Sequence, residues 1–447
     1  MADVVREPLS SKPLRVRRAV VAISTLALLT CSLCGRADAG GPCSHDPCHQ
    51  GEALDASCSP CVTQVCATDT QCCSQQWDLA CALATETVCE QECAPLCGDG
   101  TEDRRLTAGD ALFALKRAVG TETCPYYRCD YNGDGKIVAL DALLILTAAV
   151  GTPAGSACPP LFHYVLSDVR LPSNNSQARD LGFNLDKDDE KTIDNGFGMF
   201  LAVFLNQGVN MQSAVDAAID SGAAVGLASL ASHDLDTAAS ATWRLLVGNP
   251  AAAAPLFDGS DRFTVADDGA MLGELEGAIV GGHLDAAVPE ASAATFSILL
   301  ALVPGQPPLR LDLVGGHVSA DVTSEECDNG RLGGGITGED MENSFLPSFA
   351  VAMNAHVPAE CRPGAAEGDF SMCDLTSQQY LQIFDSQPRD GTITVEEVTG
   401  NALIGSLLHP DVDLLDASGN YDPNPNGEAD SVSFGLGFDC VAARFSE

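Results

Sequence analysis

Between residues 97 and 158 the polar and apolar positions pass twice through the same order. The run DYNGDGKIVALD, from Asp130 to Asp141, alternates acidic and small residues. It leads directly into a segment ending at Gly151, in which Leu143, Leu146 and Val150 recur at helical spacing on one face. The run DGTEDRRLTAGD, from Asp99 to Asp110, leads into a segment ending at Gly120, where Leu112, Leu115 and Val119 repeat that face. Asp110 and Asp141 are 31 residues apart, as are Gly120 and Gly151, so the pattern is a duplication. Farther along, Gly151 to Pro160 reads as a linker. Beyond it, HYVLSDVRL, TFSILLALV, LRLDLVGGHVSADV and SVSFGLGF read as strands. NGFGMFLAVFL, MQSAVDAAI, EDMENSFLPSFAVAMNA and EVTGNALIGSLL read as helices. Residues 159–447 are therefore expected to form one α+β domain with a sizeable antiparallel sheet.

The opening segment has a different character. Arg15, Arg17 and Arg18 precede an apolar stretch from Ala19 to Cys34, and Ala37-Asp38-Ala39 offers a small-x-small cleavage site. This is the layout of a bacterial secretory signal over residues 1–39, too short and too interrupted by Ser and Thr for a permanent span. Lipid anchoring at Cys31 is the rival, although Thr30 fits a lipobox poorly. The protein is thus expected outside the cell or at its surface. The formal net charge is −39, and loss of residues 1–39 makes the remainder three charges more negative. So acidic a chain is repelled by nucleic acid and by anionic membranes, and suits divalent cations.

Cysteine usage agrees with export. Of 20 cysteines, ten lie between Cys43 and Cys93, four flank the duplicated segment (Cys97, Cys124, Cys129, Cys158) and four lie farther on (Cys327, Cys361, Cys373, Cys440). Each count is even, as expected when every domain closes its own disulfides. Cys58-x-x-Cys61 with His45 and His49 nearby leaves zinc as the alternative. The segment 40–96, with CSHDPC, CSPCVTQVC, CC and WDLAC, resembles a cysteine-rich repeat of secreted deltaproteobacterial proteins, which implies a stapled spacer or adhesion module without assigned chemistry. The 159–447 region is likewise similar to uncharacterised secreted proteins of that group, a resemblance that carries no known activity.

The duplicated loops carry the clearest chemistry. Calcium takes six to eight hard oxygens in a flexible shell. In the second loop Asp130, Asn132 and Asp134 stand at positions one, three and five, Gly135 at six, the Lys136 carbonyl at seven and Asp141 at twelve. The equivalent set in the first loop is Asp99, Thr101, Asp103, the Arg105 carbonyl and Asp110. There Thr101 replaces Asn or Asp, Arg104 replaces the turn glycine, and Arg104 and Arg105 oppose a cation. The first loop is therefore expected to bind more weakly or not at all. Aspartate at position twelve, and Cys129 directly before Asp130, resemble a dockerin, a paired loop–helix module that docks onto cohesin domains. That resemblance covers 97–158. It implies an all-α fold of two antiparallel helices around calcium ions, and partner contacts from loop positions ten and eleven: Ala108, Gly109, Ala139 and Leu140. The disulfides Cys97–Cys124 and Cys129–Cys158 are expected to bracket one unit each.

Other candidates are weaker. Asp385, Asp390 and Glu397 resemble an EF-hand loop carrying one inserted residue, with Pro388 and Arg389 disturbing its register. Asp186, Asp188, Asp189 and Glu190 form an acidic turn. Val-Gly-Gly-His283 and Val-Gly-Gly-His317 echo each other, as bends in adjacent strands or as two ligands of a shared metal. There is no HExxH, GxSxG or P-loop. The expectation is a secreted, calcium-binding, non-catalytic surface or matrix protein with a cohesin-type partner. The alternative is an exported, polysaccharide-acting hydrolase whose 159–447 domain is catalytic. A clustered pair of buried carboxylates in a groove would favour the enzyme, and a closed, apolar-cored sheet without a polar cleft the binding protein.

Overall fold

The computed structural model describes residues 43–445, apart from 90–92, 94, 123, 134–135, 152–156, 188–192, 207–210, 267–270, 290–294, 303–307, 359–360, 362–367, 387 and 425–426. The expected signal, with Cys31, lies outside the described residues. So do Asp134, Gly135, Asp188, Asp189 and Glu190.

Residues 43–93 have little apolar material and replace it with cross-links. Five disulfides, Cys43–Cys58, Cys48–Cys93, Cys61–Cys89, Cys66–Cys73 and Cys72–Cys81, surround the fully buried Trp77. Strand β1 (Gly51–Glu52) pairs with β2 (Gln76–Trp77), and the Trp77 indole N–H donates to the Pro47 carbonyl at 2.7 Å. Cys58 and Cys61 are both in disulfides, so the zinc alternative falls. A domain this small gains its stability chiefly from such staples.

The next unit carries helices Ala108–Ala118 and Ala139–Ala149. Their inner faces are Ala111, Ala114, Ala142 and Ile145, packed with Cys124, Cys129 and Tyr131. The disulfides here are Cys97–Cys158 and Cys124–Cys129, not the expected one per unit. The first closes both units together, because their two ends meet. The second spans a single turn of helix, Tyr126–Cys129.

Nine strands follow: β3 (Leu161–Arg170), β4 (Val225–Ala231), β5 (Thr237–Gly248), β6 (Met271–Val280), β7 (His283–Ala287), β8 (Phe296–Leu300), β9 (Leu309–Val322), β10 (Glu326–Thr337) and β11 (Ser431–Ala442). Each pairs antiparallel with its neighbours in the order β3-β4-β5-β6-β7-β9-β10-β11, and β11 returns to β3. The expected antiparallel sheet is thus an eight-stranded closed barrel. Closure leaves no edge strand in the ring, which removes the usual liability of an antiparallel sheet. Strand β8 lies outside the ring and pairs with the first half of β9, while the second half of β9 pairs with β7. The change falls at Gly315, whose φ of 62° needs a residue without a Cβ.

Alternation along the strands fills the barrel. Trp243 on β5 reaches Phe438 on β11 at 6.0 Å and Tyr164 on β3 at 6.1 Å, although none of these strands is adjacent to another contributing ring except β3 and β11. All three rings are buried. A second aromatic cluster plugs one region of the barrel. Phe197, Phe200 and Phe204 of helix Gly196–Asn206 pack on Phe345, Phe349 and Phe384, and Phe197 touches Phe434 of β11. Phe345 and Phe349 lie in the helical run Gly338–His356, which contains a wide π turn at Met341–Phe345. Disulfides Cys327–Cys440 and Cys361–Cys373 complete the pattern in which every segment closes its own cysteines. Among the described residues no helix is long and apolar enough to cross a membrane.

The units touch through charged and aromatic groups. An Arg244 Nη donates to the Tyr127 hydroxyl at 2.8 Å, the Arg244 guanidinium lies 3.5 Å from Glu274, and Arg117 lies 3.3 Å from Glu276. Burial pushes both glutamates above their ordinary value, with Arg244 and Arg117 pulling each back.

Candidate metal centre

The first loop is wired by two carboxylates. The Asp110 Oδ1 accepts from the Thr101 N–H and hydroxyl at 3.0 and 2.7 Å. Its Oδ2 accepts from the Thr107 N–H and hydroxyl at 2.7 and 2.8 Å. One side chain thus ties the start of the loop to the helix N-terminus, where Thr107 is the cap. Asp99 accepts from the Asp103 N–H at 3.2 Å and from the Arg104 N–H at 2.6 Å. Asp99, Asp103 and Asp110 offer carboxylate oxygens within 4.8 Å of one another. Asp99 is 1% exposed. Burial raises its pKa to about 6; the Arg104 N–H opposes this, Asp110 and Asp103 add to it, and Arg128 opposes it. Three carboxylates held this close repel one another and invite a cation.

The two arginines are placed away from that task. The Arg104 guanidinium pairs with Glu86 of the cysteine domain at 2.7 Å, and Arg105 is exposed. The Arg104 backbone takes φ 58°, the conformation for which a glycine was expected at position six, and Glu102 at position four takes φ 61°. In the second loop position four is Gly133, with φ 71°. At position four the two loops share a conformation that glycine follows without strain and that Glu102 follows at a cost.

The second loop repeats the wiring. Asp141 Oδ1 accepts from the Asn132 N–H at 3.2 Å and Oδ2 from the Val138 N–H at 2.9 Å. Asp130 and Asp141 are buried, and Lys136 is exposed. Ala108, Gly109, Ala139 and Leu140 are all exposed at the helix starts. The periodic leucine faces also point outward: Leu112, Leu115 and Val119 are 55%, 41% and 67% exposed, and Leu143, Leu146 and Val150 are 55%, 39% and 72%. Alanines take the inner face because the helices approach closely there. Thr107-x-x-Asp110 and Thr394-x-x-Glu397 form capping boxes that mark two of the loop ends.

His283 and His317 lie on adjacent strands and share no ligand position. His283 Nδ1 bonds Asp321 at 2.8 Å, and His317 Nε2 bonds Asp285 at 2.7 Å. The Ser319 hydroxyl stands 3.0 Å from His283 Nε2, which completes the hydrogen-bond order of a Ser-His-Asp hydrolase. Ser319 is only 1% exposed, however, and an Arg331 Nη donates to its hydroxyl at 3.4 Å. A nucleophile must meet its substrate, so this line is a cross-strand staple. An open groove is lined by Asp168, Asp216, Asp220 and Asp439, none of them buried, and Arg170 bridges Asp168 and Asp439. A cavity of about 80 Å³ beside Trp243, Leu272, Ile298 and Phe438 is lined by apolar residues alone.

A family model described as a domain of unknown function (DUF8252) matches residues 41–93. No curated protein and no solved structure matches the chain.

Proposed function

We propose that this chain is an exported, non-catalytic protein whose 97–158 unit is ordered by calcium and presents its paired helices to a partner of the cohesin type. The carboxylate cluster of Asp99, Asp103 and Asp110 carries the reading, since the wiring of Asp110 recurs at Asp141 one duplication later. The two outward faces, Leu112-Leu115-Val119 and Leu143-Leu146-Val150, supply the apolar surface that such docking buries. In this reading the helices run antiparallel, as in dockerins. A barrel filled with aromatic rings, together with a buried Ser319, supports binding over hydrolysis.

Calcium titration of the full chain, followed by calorimetry and by melting with and without chelator, tests the ion. Binding to the folded state alone adds about 2.7 kcal/mol when calcium is a hundredfold above its Kd. An unchanged melting profile with no heat of titration would remove the reading. Pull-down from the native secretome with and without calcium tests the partner, and nothing retained in calcium would end the cohesin proposal.

A further inference from the structure

We propose that the barrel domain holds its own calcium site, in the loop from Asp385 to Glu397, built like the two loops of the 97–158 unit.

The last carboxylate is wired as before. Glu397 accepts from the Ser386 N–H at 2.7 Å through Oε1 and from the Thr394 N–H at 2.9 Å through Oε2. Asp110 does the same for Thr101 and Thr107. The first carboxylate is also wired as before: Asp385 Oδ2 accepts from the Gly391 N–H at 2.7 Å, as Asp99 accepts from Arg104. Gly391 has φ 80° and stands six residues before Glu397, the spacing of Arg104 to Asp110. The inserted residue therefore falls before Gly391, and Arg389 lies over the Phe370 ring at 5.4 Å. Asp390 directly precedes the glycine, as Asp103 precedes Arg104. Ile393 is 2% exposed and is pinned by Asn354, whose amide donates to its carbonyl at 2.6 Å and accepts from its N–H at 2.9 Å. One side-chain amide thus serves as a bridging peptide unit.

The observation that points to a ligand is Asp385 itself. It is 1% exposed, and its Oδ1 is buried with no hydrogen-bond partner. An unsatisfied carboxylate oxygen in such a place is costly unless something binds it. Burial raises the Asp385 pKa; the Gly391 N–H opposes this, the Glu397 charge adds to it, the Asp390 N–H opposes it and the Asp390 charge adds to it. Asp385, Asp390, Glu397 and the Thr392 carbonyl, at the position of Arg105 and Lys136, offer hard oxygen alone. That set suits calcium rather than zinc or copper. Helix Leu375–Phe384 leads into the loop, and its last residue, Phe384, packs on Phe204 and Phe349. A bound ion would fasten that aromatic plug to the barrel.

The test counts calcium ions on the full chain by native mass spectrometry and by equilibrium dialysis. Asp385→Asn is isosteric and should lower the count by one with an unchanged near-UV spectrum. A variant lacking the module carboxylates (Asp99→Asn, Asp110→Asn, Asp130→Asn, Asp141→Asn) should still hold one ion, and adding Asp385→Asn should take it to none. An unchanged count in Asp385→Asn overturns the proposal whether or not the fourfold variant folds. A drop in Asp385→Asn with no drop in the fourfold variant keeps this site and sinks the module as a calcium binder.

Discussion

The barrel buries whole rings, Trp243, Tyr164 and Phe349 among them, whereas the unit at 97–158 buries mainly alanine, cysteine and four aspartates, Asp99, Asp110, Asp130 and Asp141. The first is held by transfer of apolar surface from water, about 25 cal/mol for each Å² removed. The second has little such surface and spends its interior on carboxylates, which destabilise a fold unless paired or bound to a metal. The two parts should therefore fail under different insults. Heat and cavity formation threaten the barrel, while reduction and chelation threaten the module.

The largest expected effect is on the barrel side. Phe349→Ala removes a ring that touches Phe200, Phe204, Phe345 and Phe384. Denaturant unfolding should show roughly 3–5 kcal/mol lost, with calcium stoichiometry at the 97–158 loops unchanged; a coupled loss there would show that the two parts fold as one. Next comes the staple. Replacing Cys97 and Cys158 by serine opens a loop whose cross-link spans 61 residues, worth up to roughly 4 kcal/mol in the chain-entropy picture. The loss should appear in the module's hydrogen exchange and leave barrel amides protected. Glu102→Gly acts in the opposite direction. It relieves a non-glycine residue held at φ 61° and gives up the ion pair between the exposed Glu102 and the buried Arg128. A gain of up to about 1 kcal/mol is expected in the module's melting, and a loss would mean that the ion pair outweighs the backbone strain.

The smallest effect concerns pH. Asp285 is held below its ordinary carboxylate value, first by the His317 hydrogen bond and then by the charge of His317, against a burial that works the other way. A depressed folded pKa gives stability that is present above the unfolded value near 3.8 and lost as pH falls through the folded one. Asp285→Asn should flatten the acid side of the barrel's Tm–pH curve slightly and leave the neutral side in place.

What was legible in the sequence follows from how each element signals itself. The strands β3, β8, β9 and β11 carry runs of Val, Leu and Phe and were readable. VGLASLA, TAASATWRLLVG and ECDNGRLGGGIT are strands too, but their Ala, Ser and Gly give neither period nor β-propensity. They owe their conformation to neighbours already in the ring, so barrel closure stayed hidden. The duplicated loops were plain because charge, glycine and spacing all fall on residues of one short stretch. Their disulfides were not, since pairing depends on where chain ends meet. The leucine faces read as a periodic stripe, yet periodicity gives the stripe and not its direction. Only the packing of Ala114 against Ile145 shows that it looks outward. The Asp385 loop was obscured by its one extra residue, which a backbone absorbs easily and a fixed spacing rule does not.

The ring is sealed between its first strand and its last, β3 and β11, and Cys327 on β10 finds its sulfur partner Cys440 on β11. A chain synthesised from its N-terminus therefore delivers the sealing strand after every other stave is in place. Until Ser431–Ala442 arrives, the sheet is an open ribbon with two sticky margins and a lone thiol. The formation of that one sulfur bond is thus a timestamp for completion, and thiol trapping of Cys327 would separate finished barrels from unfinished ones.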